Sequence, residues 1–352
     1  MSRNPLVSIV MPAFNAGLYA GEAIKSILSQ TLTDFELIII NDGSTDNTAQ
    51  VLTEYQAGDA RLHVLHQRNC GAAASMNRGC ALAKGEYIAR MDSDDLCEPG
   101  RLARQVEFLE KHSDIGLCGT WMVAFQGEKE TLHQYPSEPD TAKSMLPFQL
   151  SVAGASIVFR RDTYLRISVR NSPDVGATDD YLFVVECSKH FRFASVPEPL
   201  YRYRIHPEQV TNRESERQHK FTRQIRLKQL EELGLKPQED ELDLHEAISD
   251  WRLFGGEELI EKAHDWLNKL KRANALQPLY PEPAFSLVLR NYWFSLCLRH
   301  SRLGAWIYQR FSESPLTKGT RVRLDDRLKL LAKCVSRYDR SSIQKLRTSS
   351  DH

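Results

Sequence analysis

The chain has 352 residues, with lysine plus arginine equal to aspartate plus glutamate at 46 each. That length supports a sizeable core and about two domains, and the balanced charge leaves no footprint for nucleic acid. Seven cysteines (Cys70, Cys80, Cys97, Cys118, Cys187, Cys297 and Cys334) form an odd set without a CxxC pair, which fits free thiols in a reducing compartment and argues against a zinc site.

Met1 to Pro5 leads directly into a strand-like run, without the basic region, apolar core and cleavage site of a signal peptide. No stretch approaches the roughly 18 apolar residues of a membrane-spanning helix. A cytoplasmic protein is therefore expected. Leu6 to Met11 reads as a strand, broken by Pro12-Ala13-Phe14-Asn15. Ala16 to Gln30 carries Leu18, Ala23, Ile24, Ile27 and Leu28 at helical spacing. Phe35 to Ile40 is a second strand, followed by the turn Asn41-Asp42-Gly43-Ser44, with Ser44 as the expected N-cap of a helix through Val51, Leu52 and Tyr55. Leu62 to Leu65 is a third strand, Gly71 to Lys84 an alanine-rich helix, and Tyr87 to Met91 a fourth strand. This alternation predicts a mostly parallel α/β sheet with helices on both faces. Right-handed crossovers then bring the strand ends to one edge. Pro12–Asn15, Asn41–Ser44 and Asp92–Asp95 would meet there.

The fourth strand ends in Met91-Asp92-Ser93-Asp94-Asp95, three carboxylates within four residues. Such a cluster is repulsive unless a cation joins it, and the C-terminal edge of a parallel sheet is where open α/β folds bind ligands. A solvated acidic loop is the plainer alternative. Pro99 fits the first turn of a following helix whose apolar face is Leu102, Val106 and Leu109. Asp42 suits a base imide as hydrogen-bond partner and equally suits a plain turn aspartate. Ala13 is small enough for backbone to approach a base. Asn69 and Gly71 flank a loop opening a helix, a place that favours phosphate. The glycines make no GxGxxG or Walker pattern.

In order and spacing, P-A-F-N at 12–15, I-I-I-N-D-G-S-T-D at 38–46, N-C-G at 69–71, A-K-G-E-Y-I at 83–88 and M-D-S-D-D at 91–95 resemble the N-terminal signature of inverting family 2 glycosyltransferases of GT-A fold, over about the first 210 residues. The resemblance implies a nucleotide-diphospho-sugar donor and a divalent cation, Mn2+ or Mg2+. It implies donor-binding positions at Pro12, Ala13, Asn15, Asp42, Asn69, Gly71, Asn77, Asp92, Ser93 and Arg204. Asp42 would contact the base and Asp92 the ribose or sugar. Asp94 would bind the metal, with Asp95 in support. One departure is Met76, where many members carry an arginine before the asparagine.

In the second half, Ile115 to Phe125 would extend the sheet, Gly127 to Pro147 reads as a loop or variable insertion, and Gly154 to Arg161 resembles the family's strand under the acceptor site. Asp179 and Asp180 open a helix, where acids also serve the helix dipole. By resemblance they match a Glu-Asp pair, with Asp179 supporting and Asp180 as general base. Tyr201-Arg202-Tyr203-Arg204-Ile205-His206 resembles the Y-R-x-H segment closing the catalytic module, with His206 a candidate metal ligand.

The predicted organisation is a catalytic domain over 1–211, with a nucleotide-sugar half (1–115) and an acceptor half (116–211), then a helical C-terminal region over 212–352. Helical segments are expected at His245–Phe254, Glu257–Ala273 and Phe285–Phe311, with Trp293, Phe294, Trp306 and Tyr308 as packing aromatics. Between Lys318 and Arg347 lie ten basic residues against Asp325, Asp326 and Asp339. That surplus suits peripheral contact with an anionic membrane and equally a solvated helix face. The function read here is metal-dependent transfer from a UDP-sugar to a glycan or lipid-linked acceptor in cell-surface polysaccharide synthesis. A nucleotidyltransferase that makes the sugar nucleotide, or a binding protein that has lost catalysis, are the rivals.

Overall fold

The computed structural model describes residues 4–166, 179–209, 215–318 and 324–336. Its contacts divide the chain into two compact units, Met1–Ile225 and Arg226–His352. The expected boundary at 211/212 lies outside the described residues.

The first unit opens with four strands, β1 (Val7–Ala13), β2 (Phe35–Asp42), β3 (Leu62–Gln67) and β4 (Tyr87–Arg90), separated by helices α1 (Ala20–Leu28), α2 (Thr48–Gly58) and α3 (Ala72–Leu82). The strands run parallel in the order β3-β2-β1-β4. β2 and β4 are buried along their whole length, which is why their apolar stretches, Leu37 to Ile40 and Tyr87 to Ala89, show no alternation. The side-chain alternation of β1 divides the core. Val7, Ile9, Met11 and Ala13 join Ile24 and Ile27 of α1 and Leu52 of α2 on one face, while Val10 joins Met76 and Cys80 of α3 on the other.

Beyond β4 the sheet becomes mixed. β8 (Val158–Arg160) lies antiparallel to β4, β6 (Ile115–Gln126) antiparallel to β8, and β9 (Arg192–Arg204) parallel to β6 with register shifts. The short β5 (Leu96–Cys97) pairs with the far end of β9. This pairing carries residues 201–204 back to the loop after β4. α4 (Arg101–Lys111) covers one face through Leu102, Val106 and Leu109.

Three local expectations change. Residues 127–147 are not a loop: Gly127, at φ 59°, turns β6 into β7 (Lys129–His133), and Pro139 starts α5 (Pro139–Met145). Every residue of β7 is exposed, so no apolar alternation marked it. Gly154–Ser156 is a 3-10 turn, and only Val158–Arg160 is strand. Ser44 does not cap α2, which begins at Thr48; the Asp46 carboxylate accepts the Thr48 N–H at 3.0 Å. α6 (Arg161–Arg166) and α7 (Asp179–Cys187) complete this unit's elements up to α8 (Ser215–Glu232), which runs on into the second unit.

The second unit is helical, with α9 (Glu239–Ser249), α10 (Glu257–Leu276), α11 (Ala284–Arg299), α12 (Ala305–Glu313) and α13 (Leu324–Ser336). Trp293 is fully buried, Trp251 stacks on Tyr292 at 5.0 Å, and Phe294 meets Phe311 at 5.5 Å. Trp306 and Tyr308 are half-buried. The expected Phe285–Phe311 helix is interrupted by a 3-10 turn at Ser301–Leu303 and by Gly304 at φ 63°. Glu261, His264 and Asp265 cluster in α10, but Arg310 pairs with Glu261, and His264 bonds Ser314 and Asn268. Among the described residues, no helix is long and apolar enough to cross a membrane.

Candidate active site

The loops after β1, β2 and β3 are tied to one another. Asn15, held at φ 49°, donates its N–H to Ser44 Oγ (3.0 Å) and accepts the Thr45 N–H on its side chain (2.8 Å). The next amide, Ala16, donates to Thr48 Oγ1 at 2.8 Å. Gly43 takes φ 73°, and a Cβ there would lie 2.8 Å from the Asn69 nitrogen. Only glycine satisfies both the left-handed backbone and that close approach.

Asp42 is 2% exposed and accepts three hydrogen bonds from its own chain. Gln67 Nε2 (2.7 Å) and the Cys70 N–H (2.9 Å) reach Oδ1, and the Gly71 N–H (2.8 Å) reaches Oδ2. A carboxylate offers about four acceptor positions, so most of this one is spent holding the Asn69–Gly71 loop at the start of α3. Gln67 also donates to Ser75 in α3. Met76, at the position of the missing arginine, is buried in the core. Asn77 accepts from the Tyr164 hydroxyl at 3.4 Å, on the side of α6. Pro12 and Ala13 close β1, Ala13 being buried.

The loop after β4 is different in kind. Asp94 Oδ2 lies 2.9 Å from His206 Nε2. Asp95 is buried and accepts the Arg204 N–H at 2.7 Å. Arg204 donates Nε to the Asp94 carbonyl (2.8 Å) and a terminal nitrogen to Glu22 (2.6 Å). Its guanidinium sits 5.0 Å from both the Tyr19 and Phe125 ring centres, and the Tyr19 ring is 4.6 Å from that of His206. The Asp92 N–H reaches the buried Tyr201 hydroxyl at 3.3 Å, and Ser93 is buried between the acids. His206 thus meets Asp94 although β9 ends at Arg204.

These carboxylates strain against each other. Burial, then the charge of Asp94, pushes the Asp92 carboxyl up to about 7. The same two causes raise Asp95 well above the usual carboxylate range. A divalent cation between Asp94 and His206 would relieve this; the carboxylate oxygen suits Mn2+ or Mg2+, and an imidazole nitrogen beside it favours Mn2+ over the oxygen-seeking Mg2+.

Across from this loop, α7 begins with the second acid pair. Asp179 is buried and pairs with Arg90 at 3.3 Å. Burial, then the Asp179 charge, raises the Asp180 carboxyl to about 6, while Arg90 opposes the rise. Asp180 also contributes to the rise at Asp92, so the pair and the acidic loop share one field. A Cβ on Gly154 would lie 1.7 Å from Asp180 Oδ2; the 3-10 turn has to carry glycine there. Burial raises the Tyr135 hydroxyl to about 12, and the Asp180 charge adds to the rise.

The structure therefore assembles two groups from the candidates: Asp92, Asp94, Asp95, Arg204 and His206, adjoined by Asp179–Asp180; and Asn15, Asp42, Asn69 and Gly71. β2 and β4 both flank β1, so the two groups sit about 10 Å apart along one sheet edge. Sequence reasoning missed Arg90, Gly154, Gln67, Tyr201 and Glu22. Arg90 did carry a signal, since an arginine within a buried strand demands a partner. Gly154 carried none, because its constraint comes from a side chain far along the chain.

Residues 8–166 match the family described as Glycosyl transferase family 2. An uncharacterized glycosyltransferase of Haemophilus influenzae is 31% identical over 238 residues, covering 64% of this chain and 73% of that one. The chain belongs to glycosyltransferase family 2. The glycosyltransferase adopts the GT-A fold with an added helical region. S. aureus TarS 1–349 in complex with UDP-GlcNAc resembles it with a TM-score of 0.56 at 17% identity, over 95% of this chain and 93% of that one. Mannosyltransferase PcManGT from Pyrobaculum calidifontis, in complex with GDP-Man and Mn2+, does so with a TM-score of 0.54 at 16% identity, over 96% and 89%. Family membership removes the nucleotidyltransferase alternative.

Proposed function

We propose that this glycosyltransferase is an inverting, metal-dependent enzyme using a UDP-sugar or a related nucleotide sugar. The observation carrying the proposal is the Asp94–His206 pair at 2.9 Å, in a loop whose Asp92 carboxyl is raised in part by the charge of Asp180, itself raised to about 6. Asp94 and His206 would hold Mn2+ or Mg2+, which when bound would neutralise the charge developing on the leaving diphosphate. Asp180 takes the proton of the acceptor hydroxyl as that oxygen attacks the anomeric carbon from the side opposite the diphosphate. A single displacement of this kind inverts the anomeric centre. Arg90 steadies the base through Asp179. Asp92, Ser93 and Arg204 line the donor's ribose, sugar and phosphates, and Asp95 orders Arg204.

The first three loops form the nucleoside end. Pro12, Ala13 and Asn15 would border the base, and Asn69 and Gly71 would present backbone to it or to phosphate. Asp42 would reach the base only through its remaining acceptor position, so its larger contribution is to shape that loop. Asn77, turned to Tyr164, would act from behind α3. We assign 1–115 to the donor and 116–211 to the acceptor. A glycan or lipid-linked acceptor of cell-surface polysaccharide synthesis is the reading kept, which would bring the enzyme to the inner face of the cell membrane through its basic C-terminal region. TarS bound to UDP-GlcNAc and PcManGT bound to GDP-Man and Mn2+ support the donor class and the cation.

The test is turnover of nucleotide sugars with Mn2+ or Mg2+, with the product's anomeric configuration read by NMR. An inverted product that depends on the cation is expected. Retained configuration, or equal turnover in chelator, would overturn the mechanism.

A further inference from the structure

The chain that carries His206 has left the sheet, since β9 ends at Arg204, so its imidazole is placed by the groups around it. Gln209 holds the backbone, accepting the His206 N–H on Oε1 (3.2 Å) and donating Nε2 to the Arg204 carbonyl (2.5 Å). Two groups hold the ring. One is Asp94, whose Oδ2 lies 2.9 Å from Nε2. The other is Tyr19, whose ring centre is 4.6 Å from that of the imidazole with the planes tilted by 42°, the geometry of an attractive aromatic pair. The same tyrosine ring carries the Arg204 guanidinium at 5.0 Å, within the range of a cation–π contact. One side chain thus touches both the candidate metal ligand and the candidate donor-binding arginine.

Tyr19 belongs to the loop after β1, and that loop is fixed independently of the ring contacts. The Ala16 amide donates to Thr48 Oγ1 (2.8 Å), the Gly17 amide to Asp46 Oδ2 (3.0 Å) and the Tyr19 amide to the Ala16 carbonyl (2.9 Å). A Cβ on Gly17 would lie 1.9 Å from Asn47 Oδ1, so the loop lies hard against the start of α2. All three anchors are backbone donors, which the Asn15 side chain does not supply. The Tyr19 ring is half-buried, and among the described residues its hydroxyl makes no hydrogen bond. The ring, not the hydroxyl, makes the contacts.

The two supports of the imidazole differ in one respect. Asp94 Oδ2 and His206 Nε2 are the atoms that would turn to a cation, and the hydrogen bond between them would then be given up. The Tyr19 contact needs neither atom and would persist. We propose that Tyr19 is a positioning residue whose ring presets the His206 imidazole, and Arg204 beside it, for the cation and diphosphate of the donor. This rests on the metal reading given above.

The test is calorimetric titration of Mn2+ into the full chain in the presence of UDP. Tyr19→Leu removes the ring and keeps apolar bulk; it should weaken Mn2+ binding about fivefold, the size of one aromatic contact. Tyr19→Phe keeps the ring and should bind within about twofold of the wild type. A His206→Ala background supplies the readout that a merely structural role would not move. If the ring acts through the imidazole, adding Tyr19→Leu there costs little more. Circular dichroism checks the fold of each variant, and Tyr19→Met carries the same expectation should Tyr19→Leu misfold. Wild-type affinity in the ringless variant, an equal loss in Tyr19→Phe, or an undiminished further loss in the double variant would overturn the proposal. A wild-type chain that binds no Mn2+, or binds it undiminished in Asp94→Ala, would overturn the metal reading and this proposal with it. Normal wild-type binding with an indifferent Tyr19→Leu overturns this proposal alone.

Discussion

The two ends of the sheet edge are built on opposite principles. The loops after β1, β2 and β3 satisfy their polar groups among themselves: Asn15 with Ser44 and Thr45, and Asp42 with Gln67, Cys70 and Gly71. The loop after β4 crowds Asp92, Asp94 and Asp95 until two of them rise in pKa. One end is finished before a ligand arrives, as a rigid frame for a planar, weakly charged group. In the proposed function a cation and a diphosphate would complete the other electrostatically. Substitutions should therefore divide by location, costing stability at the first end and activity at the second.

The largest effect is expected for Asp180→Asn. Loss of the base should reduce kcat by about 10²–10⁴-fold, with donor KM little changed, in steady-state assays of sugar transfer. Gly154→Ala tests the same carboxylate without altering it. Its Cβ would sit 1.7 Å from Asp180 Oδ2, and displacing the base by about 1 Å can cost about 10² in rate. A Gly154→Ala variant with wild-type kcat would contradict the position given to Asp180.

Arg90 sharpens the comparison through pH. The Asp180 carboxyl stands at about 6, and the Asp179 charge, the Asp92 charge and the Tyr135 phenol share its surroundings with Arg90. A base works deprotonated, so kcat/KM should fall as pH drops through about 6. Arg90 pulls that value down. Arg90→Gln should therefore move the acidic limb to higher pH, and Arg90→Lys should move it less. The stability sign is the reverse of a salt-bridged acid's. A carboxyl raised above its unfolded value of 3.8 weakens the fold as pH rises through about 6 and is neutral below 3.8. Asp180→Asn should accordingly hold or raise the melting temperature at pH 8 even as its kcat falls.

The smallest effect belongs to the finished end. Asn15→Ala removes the Oδ1 that accepts from the Thr45 N–H (2.8 Å) and hydroxyl (3.4 Å) and should cost about 1–2 kcal/mol of stability in chemical denaturation. Its melting temperature should still rise on adding Mn2+, by as much as the wild type's. A Mn2+ response lost in Asn15→Ala would mean that the two ends are not independent.

Much of this was legible in the sequence where the information is local. The apolar runs of β1, β2 and β4, the acids at 92–95 and the pair at 179–180 stand out because burial and charge density are properties of short stretches. The turn of the sheet from parallel to mixed after β4 was not legible, since β8 has three residues and β5 two, too short for a period. β7, wholly exposed, offered no alternation. Asp42 is the instructive case: its place at a strand end was evident, but its three intrachain donors come from residues 67–71 and appear only when the chain is folded. Arg204 and His206 stand two positions apart, the first at the end of β9 and the second beyond it. They do converge on Asp94, although by a chain that has already left the sheet.

The most direct test of the central claim is calorimetric titration of Mn2+ into the full chain in the presence of UDP. The account predicts one ion per chain, binding abolished by Asp94→Ala, weakened by His206→Ala and retained by Asp180→Asn. Undiminished Mn2+ binding in Asp94→Ala would contradict it.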